Sequence, residues 1–229
     1  LPQGWTAEYY RRALQDELAT TGLKNSIALS LAAMAIDVAL GFGIAWLCVR
    51  GRMRGSGFLD ALAMLPLAVP GLVLAFGYLG AFGGSQKWLV EALGKPGAWL
   101  AVAFDPRVNP MFLLATSYAV RRLPFMVRAA HAGLEQVSRS YEEAGANLGA
   151  PPWRVLCRVT LPLVGANLLA GGILCFTFAM LEVSDSLILA QTEAYYPLTK
   201  AIYTLTDGLE RGVNVASALG VWAMALLAS

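Results

Sequence analysis

The sequence predicts an all-α membrane protein, and three observations carry that prediction. Of 229 residues, 57% are hydrophobic and only 14% are charged, whereas soluble domains are charged at about 25%. Apolar stretches reach the roughly 20 residues that a bilayer-crossing helix needs. The basic residues gather at the ends of those stretches, where membrane proteins use them to set orientation. A net charge of +2 gives no reason to expect a nucleic-acid partner, and the composition excludes disordered, collagenous and disulfide-scaffold classes.

Residues 1–24 form an outer segment, in which Thr6 to Leu18 reads as an amphipathic helix starting at a Thr6 cap with Glu8 in its first turn. Residues 27–49 make the first span, with Asp37 as its single charge, and residues 58–82 make the second. Pro66 and Pro70 lie in that second run, and a kink is expected near Pro66. The third span, 110–127, rests on the unbroken run Met111 to Val120, because Arg121 and Arg122 follow so soon after. Residues 161–181 give the fourth span and 213–229 an incomplete fifth. The chain begins at Leu1 and stops inside an apolar run, so a fragment of a longer protein is expected.

Orientation follows from density, because basic residues divide nearly evenly between the two sides. Arg50, Arg52 and Arg54 crowd one short turn, and Arg121, Arg122, Arg128, Arg139, Arg154 and Arg158 crowd the loop after the third span. That side is the cytoplasm and the N-terminal segment lies outside. Trp88, Trp99, Tyr195, Tyr196 and Tyr203 sit in the outer stretches as interface anchors.

No enzyme site emerges. His131 is the one histidine, and Cys48, Cys157 and Cys175 are too scattered for a zinc or iron–sulfur site. There is no G-x-x-x-x-G-K-[ST] run to cradle nucleotide phosphates. Ionisable residues in spans are functional candidates, which singles out Asp37, Glu182 and Asp185 as a solute pathway. Glu182 and Asp185 stand near the outer end of the fourth span, where a solvated face is the plainer expectation. Pro66 and Pro70 are candidates for a gate. Arg121 and Arg122 read most simply as anchors for lipid headgroups.

The loop 129–160 carries the strongest signal. It reads Glu143-Ala144-Gly145, then Gly149 after three residues, then Val159-Thr160-Leu161-Pro162 after nine more. Leu134 to Asn147 reads as one polar-faced helix, Gly149 permits a turn, and Pro151-Pro152 open a second helix. This spacing resembles the cytoplasmic loop of permease subunits of binding-protein-dependent ABC importers, whose pattern is Glu-Ala-Ala, three residues, Gly, nine residues, Ile, one residue, Leu-Pro. Gly145 for the second Ala and Val159 for Ile are the departures. Leu65 to Gly71 and Arg121 to Phe125 are similar to further core helices of the same family, and the Arg-Arg-Leu-Pro and Tyr-Tyr-Pro-Leu-Thr-Lys runs resemble ferric-iron-type permeases most.

The resemblance implies a type I importer-like helical bundle in the inner membrane with a cytoplasmic coupling helix. It assigns Glu143, Ala144, Gly145, Gly149, Leu161 and Pro162 to coupling with an ATPase. It further implies ATPase subunits that hold ATP and magnesium, a second permease subunit or half, a solute-binding protein outside, and no cofactor in this chain. Ferric iron is the expected solute, ahead of polyamines, phosphonates, thiamine and oxyanions. The competing expectation, from the charges alone, is a carrier driven by an ion gradient through Asp37 and Glu182.

Overall fold

The computed structural model describes residues 7–51, 55–83, 87–207 and 211–228. All regular elements among the described residues are helical: α1 (Glu8–Gln15), α2 (Glu17–Val49), α3 (Ser56–Ala68), α4 (Gly71–Phe82), α5 (Lys87–Leu93), α6 (Lys95–Ala103), α7 (Met111–Gln136), α8 (Arg139–Asn147), α9 (Pro152–Val155), α10 (Leu161–Met180), α11 (Ser184–Leu189), α12 (Leu198–Thr206) and α13 (Arg211–Ala228). A π-helical turn, Leu156–Thr160, joins α9 to α10. Thr6, Arg52, Arg54 and the side chain of Trp88 lie outside the described residues.

The amphipathic N-terminal stretch is two helices rather than one. Asp16 leaves the helical region at ψ 128° and ends α1, while its carboxylate accepts the Ala19 N–H at 3.0 Å. One residue thus stops a helix and caps the next. The helix of the first span therefore begins at Glu17, ten residues before Ile27, and its 33 residues extend for about 50 Å.

The second apolar run breaks at a different proline from the one expected. Pro66 sits inside α3, and the chain leaves the helix at Val69, whose φ −103° and ψ 129° are extended. A residue preceding proline is pushed out of the α region, and Pro70 does this to Val69.

By length and composition, α2 and the continuous helix Pro152–Met180 suffice to cross a membrane, and α3 with α4 adds a third if that bent pair is one span. The helix α7 does not pass on composition, and its burial explains why. Leu113, Leu114, Tyr118, Met126, Val127, Ala130 and Leu134 are enclosed by protein, so the helix is covered by its neighbours more than by lipid.

The chain forms two compact units. One unit comprises residues 1–30, 70–118 and 179–229. Its α12 is tied to α2 where the Leu198 N–H donates to Ser26 Oγ at 2.7 Å and Asn25 donates to the Ala194 and Tyr196 carbonyls at 3.0 and 3.1 Å. Gly22 permits that approach, since a Cβ there would lie 3.0 Å from Ala201 Cβ. Lys200 donates to the Leu187 carbonyl at 2.9 Å and to the Ala190 carbonyl, beneath the Tyr196 ring. Burial pushes its pKa down from the ordinary lysine value, because desolvation disfavours the charged form. Phe82, Phe104, Phe112 and Trp99 form an aromatic cluster.

The other unit comprises residues 31–69 and 119–178. Here α2, α7 and α10 approach through glycines. A Cβ on Gly41 would meet Met126 at 2.8 Å, one on Gly171 would meet Ala129 Cβ at 2.6 Å, and one on Gly133 would meet Asn167 at 2.9 Å. Small residues are how membrane helices gain close packing when lipid supplies no hydrophobic drive between them. Below these contacts Ala45, Ala130, Leu134, Val137 and Val164 form a cluster lined by Phe42, Trp46, Val49 and Leu168.

Candidate functional site

The loop after α7 folds as an elbow, and local chemistry explains each part. The expected single helix from Leu134 to Asn147 is interrupted. Helix α7 ends at Gln136, and Ser138 in extended conformation caps α8 by accepting the Ser140 N–H. The far end of α8 closes with the Gly149 N–H donating to the Ala146 carbonyl at 2.9 Å and the Ala150 N–H to the Gly145 carbonyl at 3.1 Å. That pair of bonds is the Schellman arrangement, with a left-handed residue after the cap. Gly149 supplies it at φ 80°. Pro151 then caps α9 and Pro152 occupies its first position, where a missing N–H costs nothing.

The residues assigned to coupling divide by face. Glu143, Ala144 and Gly149 are exposed, Gly145 and Leu161 are half-buried, and Pro162 is exposed at the start of α10. Gly145 faces inward, since a Cβ there would lie 3.2 Å from Val155. Beside the exposed set stand Tyr141, Leu148 and Trp153, at 57%, 89% and 64% exposure. Leu148 and Trp153 thus stand uncovered beside the exposed residues of the motif. Both fall within the Glu143–Pro162 span, but the sequence does not show their exposure.

The inward side of α8 carries a network that the sequence did not single out. Arg50, at the end of α2, donates from Nε to Glu142 Oε1 at 2.9 Å and from Nη2 to the Leu134 and Val137 carbonyls at 3.0 and 2.6 Å. Thr160, fully buried in the π-helical turn, donates to the same Glu142 oxygen at 3.3 Å. Arg139 of α8 returns the link by donating to the Val49 carbonyl at 2.6 Å. On the sequence, Arg50 counted only as a marker of orientation, and Glu142 stood beside the more conspicuous Glu143.

Asp37, Glu182 and Asp185, the three acids singled out for a solute pathway, are buried. Asp37 is inaccessible and neighbours Cys175 and Arg122. Arg122 donates to the Phe178 carbonyl at 2.9 Å and lies over the Phe178 ring. Glu182 and Asp185, at 4% and 0% exposure, do not form the solvated face expected of them. The Glu182 carboxylate accepts the Ser184 N–H at 3.1 Å, and its backbone carbonyl accepts Thr199 Oγ1 at 2.6 Å. Asp37 belongs to one compact unit, and Glu182 and Asp185 belong to the other. Asp60 in α3 pairs with Arg128 in α7 at 2.9 Å. Among the described residues no group of three or more His, Cys, Asp or Glu side chains is placed to hold a metal ion.

The glycine-turned elbow of α8 and α9 thus stands between the long helices α7 and α10 of an all-helical, apolar chain. The chain belongs to the family of binding-protein-dependent transport system inner membrane components, whose model matches residues 37–229. Its relatives are permeases rather than enzymes. It is 31% identical over 191 residues to the sulfate transport system permease protein CysT of Escherichia coli K12, covering 81% of this chain and 64% of the relative. It is 32% identical over 192 residues to the molybdenum transport system permease protein ModB of the same organism, covering 81% of each. A putative ferric transport system permease protein, FbpB 1 of Haemophilus influenzae, is 31% identical over 76% of this chain but only 25% of its own length. The fold is shared with a bacterial ABC transporter that imports the acidic polysaccharide alginate, at a TM-score of 0.70 and 17% identity over 99% of this chain and 81% of that one. A second structure, a bacterial alginate ABC transporter in complex with an alginate pentasaccharide-bound periplasmic protein, gives 0.68 at 18% identity, over 96% of this chain and 78% of that one.

Proposed function

We propose that this chain is the permease subunit of an ABC importer, pairing in the membrane with a second permease and carrying a small solute inward. Two ATPase subunits, which hold the ATP and magnesium, grip the elbows built from α8 and α9, and a solute-binding protein delivers its cargo from outside. No cofactor resides in this chain. The observation that carries the reading is the elbow itself: the Glu143 to Pro162 spacing becomes a capped, glycine-turned projection with Glu143, Ala144 and Leu148 facing outward. Alternating access then requires that movement of this projection bias the bundle between two arrangements.

Within this reading Asp37, Glu182 and Asp185 are the polar groups most available to shape a solute route, since buried ionisable residues in membrane helices mark such routes. Of the two prolines proposed as a gate, Pro70 is the stronger, because the helix breaks there and runs on through Pro66.

For the solute, we place a tetrahedral oxyanion such as sulfate or molybdate ahead of ferric iron. The sulfate and molybdenum relatives align over 64% and 81% of their lengths, against 25% for the ferric one. The ferric reading stands second on that relative alone. Reconstitution of the chain with its copurifying ATPase tests both. Binding protein loaded with sulfate or molybdate is expected to stimulate ATP hydrolysis, stimulation by ferric-loaded protein alone would reverse the order, and absence of any copurifying ATPase would overturn the importer.

A further inference from the structure

We infer that Arg50 and Glu142 form the joint through which displacement of α8 reaches α2, so that Arg50 is a positioning residue for coupling. The inference rests on α8 being the coupling helix.

No residue of α8 is buried, so the helix is not seated by a hydrophobic face of its own. Its inward contacts include the Gly145 approach to Val155 and the bonds of Glu142 and Arg139. Glu142 is bound on two sides, by Arg50 from the end of α2 and by Thr160 from the base of α10. The Arg50 side chain is 9% exposed and that of Glu142 18%, which separates the pair from the exposed ion pairs that contribute little.

The guanidinium is suited to this task in a way that an ammonium is not. Its planar fork reaches three acceptors in different elements: the Glu142 carboxylate in α8, the Leu134 carbonyl in α7 and the Val137 carbonyl just beyond α7. Such a group is directional and preorganised, whereas lysine is a flexible point charge. A push on α8 therefore cannot translate Glu142 without moving Arg50, and Arg50 is continuous with α2, which packs on α7 through Gly41. The Arg139 bond to the Val49 carbonyl gives α2 a second attachment to α8.

The test uses the whole reconstituted transporter with its ATPase and binding protein, and measures solute moved per ATP hydrolysed. Arg50→Met and Glu142→Gln are expected to reduce that ratio about tenfold while the ATPase still copurifies. The double variant is expected to be no worse than either single, because both remove the same joint. Arg50→Lys, which keeps the charge but loses the fork, should fall between wild type and Arg50→Met. An unchanged ratio in correctly inserted Arg50→Met protein overturns the inference. If that variant fails to insert, Thr160→Val removes one bond at nearly constant volume and should lower the ratio two- to threefold. An unchanged ratio there overturns the inference equally. Failure of the wild-type chain to retain any ATPase would instead sink the importer reading, a distinguishable result.

Discussion

Gly149 turns a helix end into an elbow through its backbone alone. A Cβ at this position would meet no atom within 4 Å, so the demand is for φ 80° and not for space. Side chains other than glycine pay about 1–2 kcal/mol in that region, with asparagine the best tolerated. Gly149→Asn is therefore expected to keep most of the transport per ATP, and Gly149→Val to lose most of it, with normal membrane insertion in both. Gly149→Arg adds bulk and charge on an exposed face and should uncouple hydrolysis from transport most completely; uptake equal to wild type in that variant would remove the residue from the coupling role. The neighbouring acids show where sequence reading stops at this scale. Glu142 and Glu143 are chemically identical and adjacent, yet helical geometry turns successive side chains about 100° apart. One meets Arg50 and Thr160, and the other faces outward. The sequence pattern draws attention to Glu143, and only tertiary structure shows that Glu142 has two partners.

Among elements, the apolar runs were legible because a lipid-facing helix must be apolar along nearly its whole length. That requirement fixes α2 and α10 from composition. It does not fix α7, whose arginines are accommodated by protein partners such as the Phe178 carbonyl and Asp60. Helix breaks were the least legible feature. Asp16, Ser138 and Pro70 each end or begin a helix through a cap bond or a steric restriction on one residue, and hydrophobicity averaged over a window does not register such events. The packing of α2, α7 and α10 was likewise hidden, because a glycine in an apolar run looks the same whether it faces a helix or lipid. Two glycines of α10 give a matched comparison. Gly171→Ala drives a methyl to 2.6 Å from Ala129 Cβ, whereas Gly165→Ala meets nothing within 4 Å. The first is expected to destabilise the bundle by about 1–3 kcal/mol through overpacking, and the second to be neutral or to stabilise slightly by stiffening the unfolded chain. Thermal unfolding in detergent distinguishes them, and equal midpoints would mean that the close approach is not holding α7 and α10 together.

At the scale of the whole molecule the chain joins surfaces of opposite demand. Its interior acids, Asp37, Glu182 and Asp185, are buried, while the elbow between α8 and α9 presents apolar side chains outside the membrane-spanning helices. Leu148 is the extreme case at 89% exposure. A leucine so placed contributes almost nothing to the stability of this chain, because burial is the source of that contribution, and it becomes useful only when a partner covers it. Fully covering such a side chain stabilises a complex by about 1.5–3 kcal/mol, and replacing it with a carboxylate adds a desolvation cost at the same interface. Leu148→Asp is therefore expected to reduce copurification of the ATPase by at least tenfold while leaving the thermal midpoint of the isolated chain within experimental error. Loss of both partner and midpoint would show that the residue supports the fold instead, and retention of the ATPase would move the docking surface away from the elbow. Comparison with Arg50→Met separates grip from transmission. The leucine variant should lose its ATPase, and the arginine variant should keep the ATPase while wasting its hydrolysis.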